Sequence, residues 1–193
     1  MSKRKQMKKH IYDELSHFSE GLAAVCRKGK WGYIDTTGRE VIECRFDDCR
    51  AFYNGVAQVC EREGSWNEQY TEIADACWGM IDKTGKYLIS PIYNSISYSS
   101  EESVLGETRE GTWIFIGLDG QPLFTQEFTD ALPFEDGIAV VEQNGRWGAI
   151  DRQGNTIIPF LYDFLTLFFD GYAVAEKNGE RFYINQSGER VIF

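Results

Sequence analysis

Side-chain catalysis needs a nucleophile, a base that titrates near neutrality or a set of metal ligands, and this chain is poor in all three. Its two histidines, His10 and His17, sit at the start of the chain and suggest no Ser-His-Asp or Cys-His pairing. The five cysteines, Cys26, Cys44, Cys49, Cys60 and Cys77, are odd in number, lie in the first half and form no C-x-x-C pair. That spacing does not suit zinc; small buried or half-buried thiols in a reducing cytosol fit it better. No glycine-rich phosphate loop is present. Carboxylates are plentiful, with 30 Asp and Glu against 20 Lys and Arg. General acid–base work, however, requires one of them in a shifted environment beside a nucleophile or metal. The sequence therefore predicts no catalytic residue, no metal and no cofactor.

What these carboxylates could do is bind. The stretch CEREGSWNEQYTEIADAC at 60–77 carries Glu61, Glu63, Glu68, Glu72 and Asp75 against one Arg62, together with Trp66 and Tyr70. Aromatics ringed by acids have the composition of an interaction hot spot for a basic protein. A second acidic stretch, YSSEESVLGETRE at 98–110, adds Glu101, Glu102, Glu107 and Glu110. The binding residues expected from sequence are Glu61, Glu63, Trp66, Glu68, Tyr70, Glu72, Glu101 and Glu102, forming one continuous acidic surface. The plainer alternatives are a tolerated loop and a solvated edge.

Charge narrows the partner. The formal net charge is −10, but the first ten residues are basic (Lys3, Arg4, Lys5, Lys8, Lys9), which leaves 15 positive and 30 negative groups in residues 11–193. A body this acidic repels a phosphate backbone and attracts basic protein. The basic start is not followed by an apolar stretch, so it does not read as a secretory signal, and no run approaches the ~18 apolar residues of a membrane helix. These points predict a cytoplasmic protein that contacts neither nucleic acid nor membrane, with residues 1–9 as a flexible tail.

The elements that would position these groups are repeated. GLAAVCRKGKWGYIDTTGREVI at 21–42 returns as GIAVVEQNGRWGAIDRQGNTII at 137–158. Gly21 and Gly55, Gly137 and Gly171, Trp113 and Trp147, and Gly154 and Gly188 are each 34 residues apart. Trp31 and Trp78 are 47 apart, which marks a 13-residue insertion within 60–77. The opening G-x-A-x-V run alternates with period two, as a strand does. Asn144-Gly145 and Asn178-Gly179 stand where a tight hairpin must turn. A second strand follows, then a D-x-x-G turn whose Asp or Asn can accept a backbone N–H two residues on. Next come a third strand, an aromatic–acidic pair such as Phe46-Asp47 or Tyr162-Asp163, and a closing phenylalanine: Phe18, Phe52, Phe134 and Phe168. The third unit lacks that phenylalanine. There Ser99-Ser100 read as following a one-residue insertion, and Ser103 aligns with the repeat glycine. Tryptophans repeated from unit to unit are expected to pack between units.

These residues resemble the WG-repeat family, named for a Trp-Gly pair present here at Trp31-Gly32, Trp78-Gly79 and Trp147-Gly148. Unit three departs with Trp113-Ile114 and unit five with Arg181-Phe182. The resemblance implies a β-repeat scaffold with no shared active site. The expected fold is all-β: residues 10–193 as one domain of five ~34-residue units of short antiparallel strands. Because the chain begins on an aromatic–Asp element and stops after a third strand, a five-bladed propeller-like ring with one blade built from both chain ends is favoured over an open superhelical stack of hairpins. The expected function is that of a non-catalytic protein-binding module with an acidic recognition face, for instance an immunity or inhibitor protein masking a basic toxin or nuclease. The alternative is a lectin-like ligand or glycan binder with one pocket per repeat.

Overall fold

The computed structural model describes residues 12–62 and 76–192. Every element among them is a β-strand or a turn, arranged as five separate antiparallel sheets that follow the chain in order. Blade 1 comprises Glu14–Leu15, Leu22–Arg27, Lys30–Asp35 and Glu40–Phe46. Blade 2 comprises Asp48–Cys49, Val56–Arg62, Ala76–Asp82 and Tyr87–Tyr93. Blade 3 has three strands, Ser95–Ile96, Ser103–Glu107 and Trp113–Gly117. Blade 4 comprises Asp130–Ala131, Ile138–Gln143, Arg146–Asp151 and Thr156–Tyr162. Blade 5 comprises Phe164–Leu165, Tyr172–Lys177, Glu180–Asn185 and Arg190–Val191.

The aromatic–acidic pair straddles two blades. Phe46 ends the fourth strand of blade 1 opposite Trp31, while the strand after Asp47 pairs forward with the next blade, Asp48 to Cys60 and Cys49 to Val59. Each meander is therefore contiguous in sequence. The expected blade shared between the chain ends does not form, because the short strand Glu14–Leu15 pairs with Leu22–Arg27 and not with the strand at the other end.

Local chemistry explains each turn. Lys28-Gly29, Asn144-Gly145 and Asn178-Gly179 all have two successive left-handed residues, the geometry that matches the twist of a two-residue hairpin. In the D-x-x-G turns the side chains of Asp35, Asp82, Asp151 and Asn185 accept the N–H two residues on, at 2.8–3.0 Å. The glycine of the Trp-Gly pair has a different task. A Cβ on Gly32, Gly79 or Gly148 would lie 2.5–2.6 Å from the carbonyl oxygen of Ile42, Ile89 or Ile158 in the neighbouring fourth strand. The register slips at this point in all three blades, so the fourth strand presses onto bare backbone. In blade 3, where Ile114 replaces the glycine, that strand is lost: the isolated bridges Trp113–Phe128 and Ile116–Pro122 stand in its place.

Four inter-blade cores hold the stack. Tyr33, Ile42 and Phe46 of blade 1 meet Phe52, Ala57, Val59 and Ile81 of blade 2, and the arrangement repeats between blades 2 and 3, 3 and 4, and 4 and 5. Trp31, Trp78, Trp113 and Trp147 flank these cores, as expected of inter-unit packing. Phe52, Phe134 and Phe168 are buried plugs, each contributing about 2 kcal/mol of apolar burial. The junction between blades 2 and 3 has no such plug, because Ser99 stands in its place; here buried Gln58 donates its amide to the Ile96 carbonyl at 3.1 Å. The arrangement is propeller-like. Among the described residues, no strand pair and no core cluster joins blade 5 to blade 1.

Candidate functional site

Strand polarity divides the surface into two ends. The hairpin turns lie at one end, and the strand-entry corners and D-x-x-G turns lie at the other. Glu61 stands at the hairpin end, at the stem of the insertion, opposite Cys77. Its carboxylate accepts the Tyr87 hydroxyl, and burial followed by this carboxylate pushes the Tyr87 phenol up. Glu63, Trp66, Glu68, Tyr70 and Glu72 lie outside the described residues.

Glu101 and Glu102 occupy the opposite end of blade 3, at the entry to Ser103–Glu107. The five-residue strand between them and the hairpin is roughly 17 Å long at the usual rise per residue. The single acidic surface expected from sequence is therefore two surfaces. Glu107 and Glu110 sit with Glu61 at the hairpin end, whereas Glu101 and Glu102 do not.

The two adjacent glutamates differ. The corner bridge Ser100–Ser103 is equivalent to Tyr53–Val56, which places Glu101 opposite Asn54 and Glu102 opposite Gly55 in the repeat. No residue is inserted, and Glu102, not Ser103, replaces the repeat glycine. Both glutamates are left-handed, with φ of 48° and 61°. For a residue with a Cβ this conformation costs on the order of 1 kcal/mol. Glu101 is a clasp between blades: it accepts the Gly137 N–H at 3.1 Å and pairs with Arg152 at 3.0 Å. Glu20 does the same two junctions earlier, between blades 1 and 2, accepting Gly55 N–H at 3.0 Å and pairing with Lys83 at 3.0 Å. Ser19 and Ser100 reinforce these two junctions by donating to the Phe52 and Phe134 carbonyls at 2.6 Å. Glu102 is exposed, and the clasp leaves it out.

Charge concentrates here. Residues 94–128 hold Glu101, Glu102, Glu107, Glu110, Asp119 and Glu127 against Arg109 as their one cation. Arg109 reaches back to blade 2 and donates to the Cys77 sulfur at 3.1 Å, tying the turn of blade 3 to the foot of the insertion. A shallow hollow lies beside it, lined by Ile92, Tyr93, Thr108, Arg109, Glu110 and Ile114. At the corner end, exposed Tyr53 and Tyr98 stack edge-to-face with centroids 6.4 Å apart, across the junction that lacks its phenylalanine plug. Sequence reading did not single out these two tyrosines. Their signal is only that the matching positions vary freely between units.

The five cysteines, all among the described residues, form no disulfide, and burial pushes Cys44 up and Cys49 up to about 12. A thiol held so high is overwhelmingly protonated at neutral pH and is a poor nucleophile. Among the described residues no group of three or more His, Cys, Asp or Glu is placed to hold a metal ion.

The family described as "WG containing repeat" matches five times, at residues 3–31, 31–66, 78–104, 115–147 and 147–180. Among solved structures, a eukaryotic initiation factor aligns over 96% of this chain and 54% of its own, with 12% identity and a TM-score of 0.57. BamB from Moraxella catarrhalis aligns over 92% of this chain and 59% of its own, with 15% identity and a TM-score of 0.47. The WD40 β-propeller domain of Doa1 aligns over 83% and 60%, with 12% identity and a TM-score of 0.38. This chain thus spans just over half the length of these structures, and at such identities the likeness concerns the fold. No curated protein matches the chain at a significant level.

Proposed function

This chain belongs to the WG-repeat family, whose β-repeat fold suggests a protein-interaction module, and from that premise we propose that it is a non-catalytic binder of a basic protein through the acidic hairpin end of blades 2 and 3. One observation carries the reading: Glu61 of blade 2 and Glu107 and Glu110 of blade 3 gather at the hairpin end beside one arginine, Arg109, which donates to Cys77. The scaffold does not need this charge, since blades 1 and 5 fold on the same plan with nearly balanced composition. A carboxylate field of this kind steers a cationic partner and raises its association rate. The aromatics of the insertion, Trp66 and Tyr70, would supply the desolvated anchors that charge alone lacks. A concrete form is a cytoplasmic immunity or inhibitor protein that covers a basic toxin or nuclease. Two hollows among the described residues, one beside Arg109 and one on blade 5, occupy non-equivalent positions, so they lend no support to a one-pocket-per-repeat glycan binder.

The test is capture from a host lysate on the immobilised chain, with a variant carrying Glu61→Lys, Glu63→Lys, Glu68→Lys and Glu72→Lys as control. Basic proteins should be retained by the native chain, released by salt and missed by the variant. Retention of the same proteins by both would remove this surface as the site.

A further inference from the structure

We propose that the junction between blades 2 and 3 is a hinge, where the corner end of the stack opens about the chain link at the hairpin end. The chain passes from each blade to the next at the hairpin end. Between blades 2 and 3 the link is Asn94, flanked by Tyr93 opposite Trp78 and by Ser95 opposite Glu107. The Asn94 side chain donates to the Thr108 carbonyl at 2.9 Å, and the next residue, Arg109, donates to Cys77 of blade 2. The hairpin end of this junction is thus tied by the chain itself and by side chains, and no chain link crosses the corner end.

At the corner end the four junctions differ. Between blades 1 and 2, Glu20 holds the Gly55 N–H and Lys83, Ser19 donates to the Phe52 carbonyl, and the Phe52 ring meets Tyr33 with centroids 4.8 Å apart. Between blades 3 and 4, Glu101 with Arg152, Ser100 with the Phe134 carbonyl, and Phe115 with Phe134 repeat that set. Between blades 4 and 5 the clasp positions hold Asp136 and Gln186, but Phe168 still plugs the core. Between blades 2 and 3 the whole set is replaced. Asn54 stands at the glutamate, Leu118 at the cation, Tyr53 at the serine, Ser99 at the phenylalanine and Met80 at the ring that would meet it.

These replacements favour motion. Buried Gln58 stands where Ala24, Leu105 and Val140 face the next blade, and its bond to the Ile96 carbonyl crosses the junction. Water replaces such a bond when the blades part, so breaking it costs little net free energy. Met80 is unbranched and adapts to a gap that changes shape. Tyr53 and Tyr98 meet edge-to-face across the corner, but both rings are already exposed, so parting them uncovers little new apolar surface. Packed bodies hinge where the contacts between them are replaceable. Glu61 lies on one side of this hinge and Glu107 and Glu110 on the other. On the reading of the hairpin end proposed above, the opening therefore sets the spacing of the carboxylates offered to a partner.

Hydrogen peroxide tests this, because Met80 is buried in the junction and its thioether is oxidised when the junction opens. Ile42→Met and Ile158→Met place the same probe in the buried cores between blades 1 and 2 and between blades 4 and 5. Followed by mass spectrometry at low conversion, Met80 should oxidise about tenfold faster than either installed methionine, since a local opening needs less free energy than global unfolding. Asn54→Glu with Glu102→Gly and Leu118→Lys recreates the clasp of Glu20, Gly55 and Lys83, and should slow Met80 to the rate of the other two. Oxidation of Met80 no faster than at positions 42 and 158, or a Met80 rate that the recreated clasp does not lower, would overturn the hinge. Oxidation reads the junction and not the partner, so the recognition surface stands or falls separately.

Discussion

Blades 3 and 4 carry the same Trp at the same register, yet one has three strands and the other four. In blade 4, Gly148 lets the Ile158 carbonyl lie where a Cβ would stand, and Thr156–Tyr162 pairs along the strand. In blade 3 the residue is Ile114, and the following segment forms no continuous strand, meeting the sheet at the isolated bridges to Phe128 and Pro122 and through the Leu123 N–H on the Phe115 carbonyl at 2.9 Å. The blade released from the four-strand plan is also the one with a left-handed Glu102 and the densest acid. The Trp thus secures packing between blades, the Gly admits the fourth strand, and loss of the Gly leaves the scaffold standing with a freer edge.

The largest way to break this comparison is Gly148→Ile. It should expel the fourth strand of blade 4 and cost about 3 kcal/mol, which for a chain of this size lowers Tm by roughly 6–12 °C in a thermal melt. A smaller effect of opposite sign is expected at Glu102→Gly, which restores the repeat residue to a left-handed position. It should stabilise by about 0.5 kcal/mol, with relief of strain partly offset by the entropy glycine adds to the unfolded chain. The denaturant midpoint reads this gain.

The smallest effect separates blade 4 from blade 5 by pH. The Asn155 side chain and backbone N–H groups hold the Asp151 carboxyl below the usual carboxylate range. A depressed folded pKa contributes stability that is complete above the unfolded value and lost as pH falls through the folded one. Tm should therefore hold from neutrality to about pH 5 and fall below about pH 4. Asp151→Asn should reduce that fall, because an amide does not titrate; blade 5 already makes this turn with Asn185.

The repeat, its strands and its turns were legible in the sequence, because period two, Asn-Gly and D-x-x-G are local signals with local causes. The inter-unit role of the tryptophans was legible for the same reason: a large apolar residue repeated at one register must be buried somewhere. Blade phase was not legible. Phe46-Asp47 reads as one motif, and only the pairing of Asp48 with Cys60 shows that the blade boundary runs through it. The misplacement of Ser103 had a similar origin, since a glutamate at positive φ violates the propensity used to align the unit. The site was half legible. Composition marked blades 2 and 3, but strand direction decides that Glu61 and Glu101 face opposite ends, and the clasp of Glu101 to Arg152 joins residues 51 apart in sequence.

Hydrogen exchange of the native chain and of Gly148→Ile tests the central claim directly. Amides of residues 156–162 should be protected in the native chain while those of 124–127 exchange rapidly, and the substitution should give blade 4 the pattern of blade 3. Equal protection of the two segments, or full protection of 156–162 in the variant, would contradict the claim that the glycine after the tryptophan decides whether a blade has its fourth strand.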